Sequence, residues 1–143
     1  MRKAIDDGYP QISMMTYGCR PGVLVLYDNY PFPSRTRLSA YAVMVGMYGL
    51  EQVLIGPATV GSVRSRFVDI VFGPKRKVSP EYNRALSAVG HLYRNSEDLI
   101  ALDLFQNVHA TVRLKPSRLS GSGVRHFCLA AKQPGVPQEW EPI

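Results

Sequence analysis

IALDLFQNVHATVRL, residues 100–114, is the stretch on which the fold class turns. Ile100, Leu102, Leu104, Val108, Ala110, Val112 and Leu114 fall on one face of an extended chain, while Asp103, Asn107, His109, Thr111 and Arg113 fall on the other. That period of two marks a strand with one side toward a core. At about 3.3 Å per residue one strand of this length would be unusual, so a bulge or tight hairpin is expected near Gln106 and Asn107.

Working outward, Val124–Ala131 reads as a last strand after the flexible run Ser120-Gly121-Ser122-Gly123. Upstream, Ser79, Pro80 and Glu81 form a helix-start pattern, and Tyr82, Ala85, Leu86, Val89 and Tyr93 follow at helical spacing, which predicts a helix there. Phe67–Phe72 reads as a strand and Gly73–Lys77 as a basic turn. A segment capped by Ser34 carries Leu38, Tyr41, Ala42, Val45 and Tyr48 at helical spacing with Gly49 as a stop, although a strand over 39–47 fits as well. Val23–Tyr27 is an apolar run closed by a turn, and residues 1–22, broken by Gly8, Pro10, Gly18 and Pro21, read as an irregular arm with a short strand near 13–17. The expected fold is α+β: one compact domain over 23–133, a mainly antiparallel sheet packed with two or more helices, then a tail at 134–143 that is mobile unless Trp140 docks.

Charge carries the functional signal. Residues 61–94 hold Arg64, Arg66, Lys75, Arg76, Lys77, Arg84 and Arg94 against Asp69 and Glu81, and residues 111–126 hold Arg113, Lys115, Arg118 and Arg125 with no acid. The whole chain carries a formal charge of +6, so the remainder is acidic and the positive charge is concentrated. Such unevenness points to a polyanion, nucleic acid or an anionic membrane; a solvated basic face is the plain alternative. The terminal segments are rich in apolar side chains a domain need not bury, namely Tyr9, Ile12, Met14, Met15 and Tyr17 at one end and Val136, Trp140 and Ile143 at the other. These suggest self-association, with docking on the chain's own body as the alternative.

Catalytic patterns are missing. Cys128 with His91, His109 and His126 could supply a nucleophile and a base, but His126 and Cys128 sit two apart on a strand with no activating turn, and no Gly-x-Ser-x-Gly occurs. His126-x-Cys128 is one loose ligand pair for zinc, with Cys19, His91 or His109 needed from afar. Neither phosphate-cradling glycine pattern is present, and Asp6-Asp7 and Glu97-Asp98 read as solvated or capping acids. No cofactor or metal is expected. His109, on the polar face, is expected to titrate and add to the basic surface. Two cysteines far apart suit a reducing compartment, the basic start lacks an apolar segment behind it, and no run approaches 18 apolar residues, so any membrane contact is expected to be peripheral.

Asn29-Tyr30-Pro31-Phe32, followed by a capped segment with Ala40, Ala42 and Val43 ending Met47-Tyr48-Gly49, resembles the strand-to-helix passage of rhabdovirus matrix proteins of the vesiculovirus type. Ser79-Pro80-Glu81-Tyr82 and the strand Leu102–Val112 resemble later parts of that family in the same order, over about Val23 to Leu114. The longer lysine-rich arm with a Pro-Pro-x-Tyr-type motif is not matched, and the chain is short for the family. The resemblance implies a non-enzymatic protein of the cytoplasm or virion that self-associates, binds anionic membrane and condenses a nucleocapsid. In that reading Arg64, Arg66, Lys75, Arg76, Lys77 and Arg84 make the contact. A nucleic-acid-binding subunit would add Arg113, Lys115, Arg118 and Arg125; a small hydrolase or transferase with a pocket invisible in sequence is the third possibility.

Overall fold

The structure is a computed structural model that describes residues 1–17, 19–28, 40–49, 76–95, 97, 99–131 and 139–143. Among these, strands β1 (Gly22–Asp28), β2 (Leu86–Arg94), β3 (Ile100–Gln106), β4 (Val124–Leu129) and β5 (Trp140–Pro142) form one sheet in the order β1-β2-β3-β4-β5. Helices α1 (Arg2–Thr16) and α2 (Ala40–Tyr48) pack against it as one compact α+β domain. The sheet is mixed, parallel at β1–β2 and β3–β4 and antiparallel at β2–β3 and β4–β5, where the sequence reading expects mainly antiparallel pairing.

Each parallel pair demands a long crossover, and the one from β3 to β4 crosses the face opposite the helices. Val89 and Phe105 belong to the core with Ile5, Val43, Met44, Met47 and Tyr48 of the helices; Ala88 and Leu104, one residue away and so facing the other side, pack with Leu114 of the crossover. A single 3₁₀ turn, Pro116–Arg118, interrupts that connection.

Residues 79–93 do not form the expected helix. Ser79 makes the bonds of a helix start, its Oγ accepting from Glu81 N at 3.0 Å and Tyr82 N at 3.2 Å, but Asn83 turns left-handed at φ 58° and the chain enters β2 instead. β2 is an interior strand buried on both faces, so its apolar run has no clean period of two and imitates helical spacing.

The irregular arm is also corrected: residues 2–16 are helical despite Gly8 and Pro10. Ile5 and Thr16 are buried while Met1, Tyr9 and Ile12 pack on the core, a stripe at helical spacing whose burial outweighs propensity penalties of about 1 kcal/mol for Gly and 3 for Pro. Gly8 is a point of close approach between the helix and β1, since a Cβ there would lie 2.8 Å from Leu24 Cδ1. α2 ends at Tyr48 with Gly49 at φ 80°, the left-handed exit a glycine accepts without strain. Ser34 and the strand expected at 67–72 lie outside the described residues.

The break expected near Gln106 is where β3 stops. Tyr48 fixes it: the buried hydroxyl donates to Gln106 O at 3.1 Å and accepts from Val108 N at 3.2 Å. Of the tail, residues 139–143 are ordered onto the body. Trp140 Nε1 donates to Ala40 O at 2.9 Å, its ring lies 5.1 Å from Phe105 and 6.2 Å from Tyr48, and β5 pairs with β4. Trp140 thus docks on its own chain.

Leu86 is fully buried and Arg84 is exposed. Leu86→Ala is expected to cost about 2–5 kcal/mol in urea unfolding, and Arg84→Ala under about 1 kcal/mol. Equal effects at the two positions would contradict this packing.

Candidate polyanion-binding surface

The register of β1 on β2 slips between Gly22, opposite Leu86, and Val23, opposite Ala88, which leaves Ser87 facing the gap. Its buried hydroxyl joins three segments: Oγ accepts from Gly22 N at 3.1 Å and donates to Val112 O at 2.5 Å. Thr111 N adds a bond to Arg84 O at 2.9 Å. Gly22 is wedged so tightly that a Cβ would overlap Ile12 Cγ2 and lie 2.7 Å from Ala85 O and 3.2 Å from Thr16 Cγ2. The end of α1, the starts of β1 and β2 and the crossover therefore meet at one end of the sheet.

Exposed at that end are Arg20, Arg84 and Arg113, and the crossover continues with Lys115 and Arg118, also exposed. No described acid pairs with Arg84, Arg113, Lys115 or Arg118, because the ion pairs of the described residues are Lys3–Asp7, Lys77–Asp6, His91–Asp28 and Arg125–Asp103. Glu81 belongs to the same neighbourhood; its carboxylate, held below the usual range mainly by the Ser79 hydroxyl at 2.8 Å, is already engaged. Met14, Met15 and Tyr17 project from the tip of α1 with 68%, 75% and 82% of their surface exposed. Tyr17 holds a left-handed backbone, φ 47°, a conformation that costs a non-glycine residue about 1–2 kcal/mol.

Two block sets of bases distant in sequence are thus partly merged and partly consumed. Arg84 meets the crossover bases, but Lys77 is held by Asp6 of α1 at 2.5 Å, and Arg76 is half-buried. Arg125 faces the helix side, clamped by Asp103 at 2.8 and 2.7 Å and by the Tyr93 hydroxyl at 2.8 Å, and lies 5.4 Å from the Phe127 ring. Arg64, Arg66, Lys75 and Val136 lie outside the described residues. Of the apolar terminal set, Tyr9 packs on the core and Trp140 docks internally, whereas Met14, Met15, Tyr17 and Ile143 stay exposed. Arg20 joins the surface unforeseen, since nothing in local spacing ties residue 20 to residues 84 and 113.

His126, Cys128 and His91 are each engaged by neighbouring groups. His126 accepts at Nδ1 from Gln106 Nε2, 3.4 Å away, which leaves its Nε2 proton for Leu119 O at 2.7 Å. Both nitrogens tie down the crossover. Cys128 sits beside Glu141 at 3.5 Å, and burial together with that carboxylate pushes its thiol up, away from thiolate chemistry. His91 bonds Asp28 at 3.3 Å, almost fully buried. Among the described residues no three His, Cys, Asp or Glu side chains gather as metal ligands would, and no helix is long and apolar enough to cross a membrane. An open depression between α1 and α2 is lined by apolar Met1, Tyr41, Ala42, Val45 and Gly46 together with Arg2 and Lys3, with no carboxylate among them. No family model, curated protein or solved structure matches the chain.

Ser87→Ala leaves Gly22 N and Val112 O without their shared partner and is expected to cost about 2–4 kcal/mol, with faster amide exchange at both places. His109 is not the charge reserve its sequence position suggests. Burial lowers its pKa, Arg76 and Arg84 add to that and Glu81 opposes it. The unfolded chain therefore binds this proton more readily, so stability falls as pH drops below about 6.5. His109→Gln is expected to show a smaller loss of urea midpoint between pH 7.5 and 5.5 than the wild type; an unchanged loss would remove His109 from the titration.

Proposed function

We propose that the protein is a non-enzymatic, matrix-like assembly protein that binds an anionic surface and associates with copies of itself. The observation that carries this is the row of exposed bases Arg84, Arg113, Lys115 and Arg118, without an acidic partner among the described residues and drawn from two distant parts of the chain. The engaged state of His126, Cys128 and His91 supports a binding role over a hydrolytic one. Phosphate groups are the ligand chemistry, which arginine meets bidentately. The nucleic-acid reading uses the same residues through backbone phosphates and without sequence preference. For self-association Met14, Met15, Tyr17 and Ile143 are the exposed apolar residues of the terminal segments.

Replacing Arg84, Arg113, Lys115 and Arg118 together by Ala is expected to weaken binding to anionic vesicles by a few kcal/mol at low salt, at about 1 kcal/mol per base, with little change in melting temperature. Flotation across a salt series checks this. Undiminished binding by the fourfold variant would show that these bases are only a solvated face.

A further inference from the structure

We propose that the tip of α1 is a bilayer-inserting element, with Met14, Met15 and Tyr17 entering the interfacial layer of an anionic membrane while Arg20, Arg84 and Arg113 meet lipid phosphates around it. This rests on the polyanion reading above and commits the polyanion to lipid.

Three features of the tip choose the lipid. First, these are the most exposed large apolar side chains described, and they cluster in the last turn and C-cap of one helix rather than being scattered. A phosphate backbone offers nothing to two methionines, whereas an acyl boundary accepts their flexible, unbranched chains, and tyrosine suits the headgroup layer where its ring is apolar and its hydroxyl wet. Second, the bases around the tip come from three separate segments and are gathered there by Ser87 and Gly22, so the apolar tip and the positive charge share one end of the molecule. No acid occurs between residues 13 and 22, while Asp6 and Asp7, further back on α1, are matched by Lys77 and Lys3. Third, Tyr17 keeps a left-handed backbone with 82% of its surface in solvent, so nothing in the isolated chain rewards that conformation with burial.

The full chain is tested by flotation with vesicles of phosphatidylcholine alone and of phosphatidylcholine with phosphatidylserine, and by retention on single-stranded RNA. The variant Met14→Ser, Met15→Ser, Tyr17→Ser keeps every charge and touches no buried residue. It should lose anionic-vesicle affinity by about ten-fold or more, one decade corresponding to about 1.4 kcal/mol, while its melting temperature holds. Met15→Trp should show quenching by brominated lipid beyond that of wild type, whose Trp140 is docked in the protein. Equal flotation of the serine variant with no quenching at position 15 overturns insertion, and so does a serine variant that changes only the oligomeric mass, which would give the tip to a second copy. Wild type retained by RNA but not by vesicles overturns it in favour of nucleic acid. Wild type that binds neither overturns the polyanion reading itself, a result distinct from vesicle binding that needs the arginines and not the tip.

Discussion

A single buried hydroxyl, that of Ser87, stands where three parts of the molecule would otherwise come apart. Two backbone groups, Gly22 N at the slip in register between β1 and β2 and Val112 O of the crossover, meet at this hydroxyl. Leaving such groups dry and unpaired would cost about 1–3 kcal/mol each. Serine is small enough for the gap and both donates and accepts, so one side chain answers both needs. The position of α1 relative to the crossover follows from it, and with that position the character of the surface at this end.

The charge of the chain becomes legible only once it is folded. Two dense basic blocks in sequence do not become two basic patches, because α1 lends Asp6 to Lys77 and β3 lends Asp103 to Arg125. What remains exposed is thinner but better placed, at the crossover and beside the helix tip. The part-exposed Lys77–Asp6 pair contributes little to stability and Asp103 is buried beneath Arg125, yet each pair removes a base from the field a partner would meet.

The mixed α and β character was readable from the alternation at 100–106 and the apolar run at 23–27, and Gly49 marked its helix end correctly. β2 was not readable, because a strand covered on both sides by helices and crossover loses the alternation that identifies strands, and Ser79-Pro80-Glu81 presents sound capping chemistry that Asn83 then turns into a bend. α1 was hidden by the opposite circumstance: Gly8 and Pro10 argue against a helix locally, and only the approach of Gly8 to Leu24 shows what the glycine is for. The candidate surface was half visible. Arg113, Lys115 and Arg118 stand together in sequence, but their meeting with Arg84 and Arg20 depends on Ser87, whose role no local pattern announces.

The position of Trp140 also sets an order in time. Its ring closes the core against Tyr48 and Phe105, and its indole reaches Ala40, 100 residues earlier; β1 likewise waits for β2. Contacts so distant form slowly and cannot form at all while the later partner is still unsynthesised. The α1 tip is therefore synthesised well before the strands and the tryptophan that complete its supporting core, and the arginines assemble around the tip only once those later segments have joined it.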